Sequence, residues 1–452
     1  MVRLRDLGTW AGGNTPSKAN LAYWTDGTVP WVSPKDMKVH EITSSEDRIT
    51  ELALSDGRVS MVPAGSVLFV TRSGILSHTF PVAITKLPVT INQDLKALTP
   101  KEGVSPKYVA HAIRGASQRI LRDCAKHGTT VASIETSRLL DFEILIGGTR
   151  EQLEIVAEIE KQFSRLDEAV ANLQRVKANL NRYKASVLKE AVEGRLVPTE
   201  AELARREGRS FETGEQLLQR ILDTRRKASQ GKGKFTEPAS PVPANLPPLP
   251  AGWTWATMPQ LGELNRGKSK HRPRDDAALY GGPYPFIQTG DVRRSNGSIT
   301  EHSQTYSEFG LKQSRLWPVG TLCITIAANI AETGILKLEA CFPDSVVGFA
   351  SDQGYPTTEY VEFFIRTARE GLDRFASATA QKNINLEVLE AVAVPIPPLT
   401  EQLRIVADVD RRLSLLRGIE AEVDTNLRRA QALRWSCLAS AFMSPKTKDV
   451  DL

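Results

Sequence analysis

Apolar residues between Thr149 and Val192 fall three and four positions apart: Ile159, Phe163, Leu166, Val170, Leu173, Val176, Leu180, Tyr183, Val187. That spacing predicts one long amphipathic helix, close to a heptad repeat with one irregular step at Leu173 to Val176. Thr149 and Gln152 have capping-box spacing at its start, and Gly194 suits its end. At about 1.5 Å per residue the rod is roughly 65 Å long. The pattern returns from Thr400 to Phe442. Glu151, Gln152 and Leu153 recur as Glu401, Gln402 and Leu403, and Ala191 as Ala441, so the offset is 250 at both ends. A loop would drift over that distance, whereas a helix of fixed length would not. A lone rod cannot bury its apolar stripe. Each copy follows its own globular segment, so the two are predicted to pair antiparallel, and the stripe that pairs them and receives partner helices supplies the partner-binding candidates: Leu153, Val156, Phe163, Leu166, Leu173 and Leu180 on one and Leu403, Val406, Leu413, Leu416, Val423 and Leu427 on the other.

The remaining chain alternates short apolar runs with turn signals. In residues 1–148, "TVPWVS", "GSVLFVT", "FPVAIT" and "DFEILI" predict strands, and "KYVAHAIRGASQRILRD" predicts a helix. Residues 195–250 are helical at first and then a Pro/Gly-rich linker. Residues 251–397 repeat the first segment loosely. Trp31 matches Phe286, Asp36 matches Asp291, Pro63 matches Pro318 and Gly65 matches Gly320, all at an offset of 255. A second long helix over 398–443 and a tail over 444–452 complete the division. The expected fold is α+β: two similar β-rich domains of mixed strands, joined by two long antiparallel coiled-coil-like helices in a pseudo-two-fold arrangement.

Composition narrows the function little. A net charge of +5 suits a nucleic-acid partner without requiring one. The four cysteines form no CxxC pair and the six histidines no HExxH, so no protein-bound metal is expected. The stretch "LCITIAANIA" is too short and too polar to span a bilayer, so no membrane role is expected and the location is expected to be cytoplasmic. No GxxxxGK[ST] phosphate loop, nucleophile elbow or Asn/Asp-Pro-Pro-aromatic motif occurs. No candidate catalytic residue is therefore singled out.

A duplicated domain on a fixed spacer suits a duplex, whose half-sites are related by a dyad. The chain resembles the specificity subunit of type I restriction–modification systems. The resemblance rests on "GGNTPSKANLAYWTDGTVPWVSPKDM" and "RGKSKHRPRDDAALYGGPYPFIQTGDV" at the two domain starts, "INQDLKAL", "LPPLPAGWTWATM", and "VPIPPLTEQLRIVADVD" leading into the second helix. In the first copy "ILIGGTREQLEIVAEIE" lacks the prolines. The resemblance implies that each domain reads one half of a bipartite site in double-stranded DNA and that the paired helices set the gap. It also implies two methyltransferase subunits docked on the helices, and two motor–nuclease subunits that can join them. S-adenosylmethionine, ATP and Mg are then expected on those partners, together with the adenine-N6 methylation and ATP-dependent cleavage chemistry, while this chain is expected to bind no cofactor and to be non-catalytic.

Base readout needs polar side chains on loops. The candidates are Lys35, Lys38, Arg72, Ser73, Gln93 and Lys126 in the first domain. In the second they are Gln288, Thr289, Arg293, Arg294, Asn329, Gln381, Lys382 and Asn383. Asp36 and Asp291 recur in both copies, which predicts that they brace a turn. The alternative is a coiled-coil adaptor without DNA specificity, which the divergent loops on a shared framework disfavour.

Overall fold

The structure, a computed structural model, describes residues 1–126, 131–230, 236–242, 246–327, 330–353, 357–377 and 384–442. It folds as two compact units. One holds residues 1–175 and the chain from Val423 onward; the other holds Val176–Glu422.

Each unit is built on a five-stranded sheet of the same order. In the first unit the order is Gly8–Gly12, Leu95–Pro100, Val67–Val70, Val82–Thr85, Glu41–Ile42. In the second it is Gly262–Arg266, Val346–Ser351, Leu322–Thr325, Thr333–Leu336, Gly297–Ile299. In both, every pairing is antiparallel except the last, which is parallel. The central strands "VLFV" and "LCIT" are fully buried, as continuous apolar or β-branched runs should be. Each is entered through a tight turn in which glycine alone is unstrained: Gly65 at φ +83° and Gly320 at φ +86°.

The cores were refilled rather than copied. Across the same strand pair, Trp10 faces Leu98 in the first unit and Leu264 faces Phe349 in the second. The bulky ring has moved from one strand to its neighbour, which keeps the volume of the pair similar. A smaller sheet accompanies each. Val29–Val32 pairs with Asp47–Ile49 and Thr90–Ile91, and Tyr280–Phe286 pairs with Gln304–Tyr306 and bridges to Cys341.

The first long helix runs Thr149–Val192 and the second Leu399–Ala441. Within the second unit Lys184 pairs with Glu420 at 2.5 Å. Val187, Leu188 and Ala191 share a core there with Ile405, Val409 and Leu413. Within the first unit Cys437 Sγ donates to Gln162 Oε1 at 2.9 Å, and Arg434 pairs with Asp167. In each unit rising numbers on one helix meet falling numbers on the other, so the pairing is antiparallel. Val156, Val406, Leu413, Leu416 and Val423 are buried in it or in the adjoining cores, and Phe163, Leu166, Leu173, Leu180 and Leu427 are half-buried.

Leu153 and Leu403 are 58% and 49% exposed and lie outside the seam between the helices. Three sequence expectations change. Val176 and Tyr183 are also exposed, although Tyr183 Oη accepts from Arg412 Nη1 of the other helix at 3.1 Å. The helix predicted from Lys107 is two, Pro106–Gly115 and Ser117–Asp123, broken at Ala116. The capping box at Thr149 does not form. Gln152 is buried instead. Its Nε2 donates to the carbonyls of Gly103 (3.1 Å) and Gly147 (2.9 Å), and its Oε1 accepts from Ser105 N (2.9 Å). Gln402 does the same work in the second copy. Its Nε2 donates to Pro397 O (2.9 Å) and its Oε1 accepts from Thr357 Oγ1 (2.8 Å). These glutamines lock each long helix to its domain, which explains their recurrence.

Candidate nucleic-acid interface

In the first unit the candidate loops issue from one end of the sheets. Val29–Val32 and Thr90–Ile91 run parallel, and Asn92 N donates to Val32 O at 2.9 Å, so the turns bearing Lys35 and Gln93 are neighbours. Asp36 braces its turn by accepting from Ser33 N and Glu46 N, both at 2.8 Å. Gln93 accepts from Thr15 Oγ1. Arg72 bridges to Ser133, whose carbonyl accepts from Lys126 N at 2.9 Å. Lys35, Arg72, Ser73, Gln93 and Lys126 thus lie on connected loops. Ser73 Oγ accepts from Ile75 N and caps a single helical turn. Lys38, three residues beyond Lys35 in the same turn, lines a cleft of about 450 Å³ with Phe80, Arg114 and Arg434.

In the second unit Gln288 caps the short helix Thr289–Arg294, which carries Thr289, Arg293 and Arg294. The carboxamide of Gln288 is engaged with Gln304 and with the backbone of Asp291, so it supports the loop. Asp291 again braces the turn, accepting from Gln288 N and Ser303 Oγ, both at 2.9 Å. Arg293 and Arg294 line different clefts, of about 1020 Å³ and 450 Å³. Asn329, Gln381, Lys382 and Asn383 lie outside the described residues.

The loop frameworks correspond down to single hydrogen bonds. Ile134 N donates to Thr71 O at 2.8 Å, and Ile384 N to Ile326 O at 3.2 Å. Thr71 N donates to Asp94 O at 2.8 Å, and Ile326 N to Ser345 O at 3.0 Å. The backbones repeat while the side chains on them differ.

A family model described as "Type I restriction modification DNA specificity domain" matches residues 1–182 and 250–425, once per copy. The chain belongs to this family. Among similar members is the type I restriction enzyme EcoR124I/EcoR124II specificity subunit of Escherichia coli, 42% identical over 37% of this chain and 41% of that one. The MjaIX specificity subunit of Methanocaldococcus jannaschii is 30% identical over 38% of this chain and 39% of its own. The chain therefore matches less than half the length of these curated relatives. A solved chain from work on complex assembly and conformational transition of the type I R–M system shares the fold. Its TM-score is 0.66 at 18% identity, covering 98% of this chain and 97% of that one.

The hydrogen bonds of these loops mark residues that loop composition alone did not. Asp94 in "INQDL" holds the loop carrying Arg72, and Ser303 and Gln304 hold the short helix at Thr289. The signal available in the sequence was the turn-forming Asn92-Gln93-Asp94. Three of the four cysteines are buried. Burial pushes the Cys124 thiol up to about 11, so it is inert at neutral pH. Among the described residues no group of three or more His, Cys, Asp or Glu could hold a metal, and no helix is long and apolar enough to cross a membrane.

Proposed function

We propose that this chain is the sequence-specific DNA-recognition subunit of a type I restriction–modification complex. The observation that carries this reading is the pair of sheets with one topology, one set of loop-bracing hydrogen bonds, and different side chains on the loops. A protein that reads two unlike half-sites needs that combination. An adaptor has no use for the divergence. Each domain reads one half of a bipartite site in double-stranded DNA, and the paired helices set the gap between halves. The chain performs no catalysis. Two methyltransferase subunits dock on the helices and bring S-adenosylmethionine and adenine-N6 chemistry; two motor–nuclease subunits join with ATP and Mg. The complex works in the cytoplasm.

The test is methylation mapping by long-read sequencing in a host that expresses the chain with its methyltransferase. One bipartite adenine-methylated motif is expected. Modification without sequence preference would overturn the reading. Inserting helical turns within both 165–185 and 415–435 should lengthen the gap while both halves keep their sequence. Changed halves with an unchanged gap would contradict the role given to the helices. DNA binding by the complex should also weaken steeply with salt, since phosphate contacts release counterions.

A further inference from the structure

We infer that Arg72 and Arg294 are base-reading residues of the two domains, each directed at a guanine in its own half-site, and that Asp94 and Asp291 are the positioning residues that aim them. This rests on the DNA-recognition reading above. The candidate loops carry several cations, but these two differ from the others in how they are held. Arg72 has a side chain 65% exposed, and its Nε lies 3.5 Å from Asp94 Oδ1. The carbonyl of the same Asp94 accepts from Arg72 N at 3.3 Å, and Asp94 N donates to Asn92 Oδ1 at 3.1 Å. Arg294 has a side chain 68% exposed, and its Nη2 lies 2.5 Å from Oδ1 of Asp291, which is buried. Lys35, by contrast, reaches Asp47 only at 4.0 Å with both side chains exposed.

A guanidinium paired on one edge with a carboxylate, by a hydrogen bond in Arg294 and by a longer ion pair in Arg72, keeps N–H groups on its other edge for the ligand. Its rotamer freedom is already reduced, so less is lost on binding. A planar fork facing O6 and N7 of guanine is the commonest specific protein–DNA contact in the major groove.

The framework comparison separates reading from structure. At the offset of 255 that aligns the two copies, Arg72 corresponds to Ala327 and Arg294 to Val39. Each copy thus carries its held arginine on a loop where the other has a small or apolar residue. A framework role would recur in both copies, as Asp36 and Asp291 do. Arg72 and Arg294 instead vary reciprocally, as residues that set two different half-sites must.

The experiment maps methylated motifs of the complex carrying Arg72→Ala or Arg294→Ala, with Arg72→Lys and Arg294→Lys beside them. Each alanine variant should relax one guanine position, about 5- to 150-fold in preference. The two variants should act in different halves, with the other half and the gap unchanged. The lysine variants keep the charge but lose the fork, so the same position should stay relaxed. Asp94→Asn and Asp291→Asn should relax the same positions by less, measured as the ratio of methylation at guanine to non-guanine sites, a ratio that loss of folded protein alone does not move. An unchanged motif in the arginine variants would overturn the assignment. So would a uniform fall at all sites with full recovery in the lysine variants, which marks a phosphate contact. If the unaltered complex showed no motif at all, the DNA-recognition reading would fail instead.

Discussion

The two recognition units solve one folding problem with different parts. At equivalent places, the first sheet packs Trp10 on Leu98 and the second packs Leu264 on Phe349. Tyr108 and Tyr360 occupy the same framework position. Tyr108 receives the edge of Phe442 at 5.1 Å, and Tyr360 that of Trp253 at 6.2 Å. The lesson is that topology and helix anchoring are fixed while both the core and the loops drift. Core changes compensate one another locally, whereas loop changes do not need to.

The largest effects should come from the core. Phe349→Ala should destabilise the second unit by about 3–5 kcal/mol and Leu98→Ala the first by about 2–5 kcal/mol, read from denaturant unfolding with a probe in each unit. If each change reported only in its own unit, the two cores would be independent. Next are the anchoring glutamines. Gln152→Ala and Gln402→Ala each leave buried backbone or hydroxyl groups unmatched, so each should cost about 1–3 kcal/mol. Similar losses in both would establish the anchor as a shared device; a loss in one alone would break the symmetry.

The units should also part company with pH. Burial lowers His111 of the first unit to about 4, helped by the charge of Arg114. The unfolded chain takes up this proton first, near the ordinary value of 6.5. The stability from keeping the ring neutral is therefore complete above about 6.5 and is lost as the pH falls toward 4. The second unit mixes opposite tendencies. Burial raises Glu362 and Glu401, while Arg209 and Arg404 hold Glu200 low and Arg411 and Arg412 hold Asp408 low. Unfolding followed from pH 7 to 4.5 should show the first unit weakening while the second drifts less, and His111→Gln should reduce the difference. The smallest stability effect is expected for Leu153→Ser and Leu403→Ser, within about 0.5 kcal/mol because both are exposed. If the helices receive methyltransferase subunits as proposed, these two changes should nevertheless reduce co-purification of that partner.

Much of the architecture was legible in the sequence because helices and duplications leave periodic marks. The bounds of the first long helix, the domain strands and the bracing role of Asp36 and Asp291 follow from spacing and recurrence. What escaped depended on contacts distant in sequence. The Thr149–Gln152 spacing fits a capping box, yet Gln152 turns to Gly103 and Ser105, some 47 residues earlier. Leu153 fits an apolar stripe, yet helix phase alone does not say where a partner ends. Among loop candidates, composition marked Gln288 and Arg294 equally. Only geometry shows the first bracing its own loop and the second held outward by Asp291.

Phe442 has a consequence for the order in which the protein can be made. The second unit is one continuous stretch, whereas the first needs both its opening 175 residues and the chain from Val423 onward. During synthesis the opening segment emerges first but lacks its closing contacts until 247 further residues have been added (422 − 175). At ribosomal rates of about 5–20 residues per second that is an interval of roughly 10–50 s. The inner unit is complete in sequence when that interval ends, before the last contacts of the outer one are made, so the domain translated first is completed last.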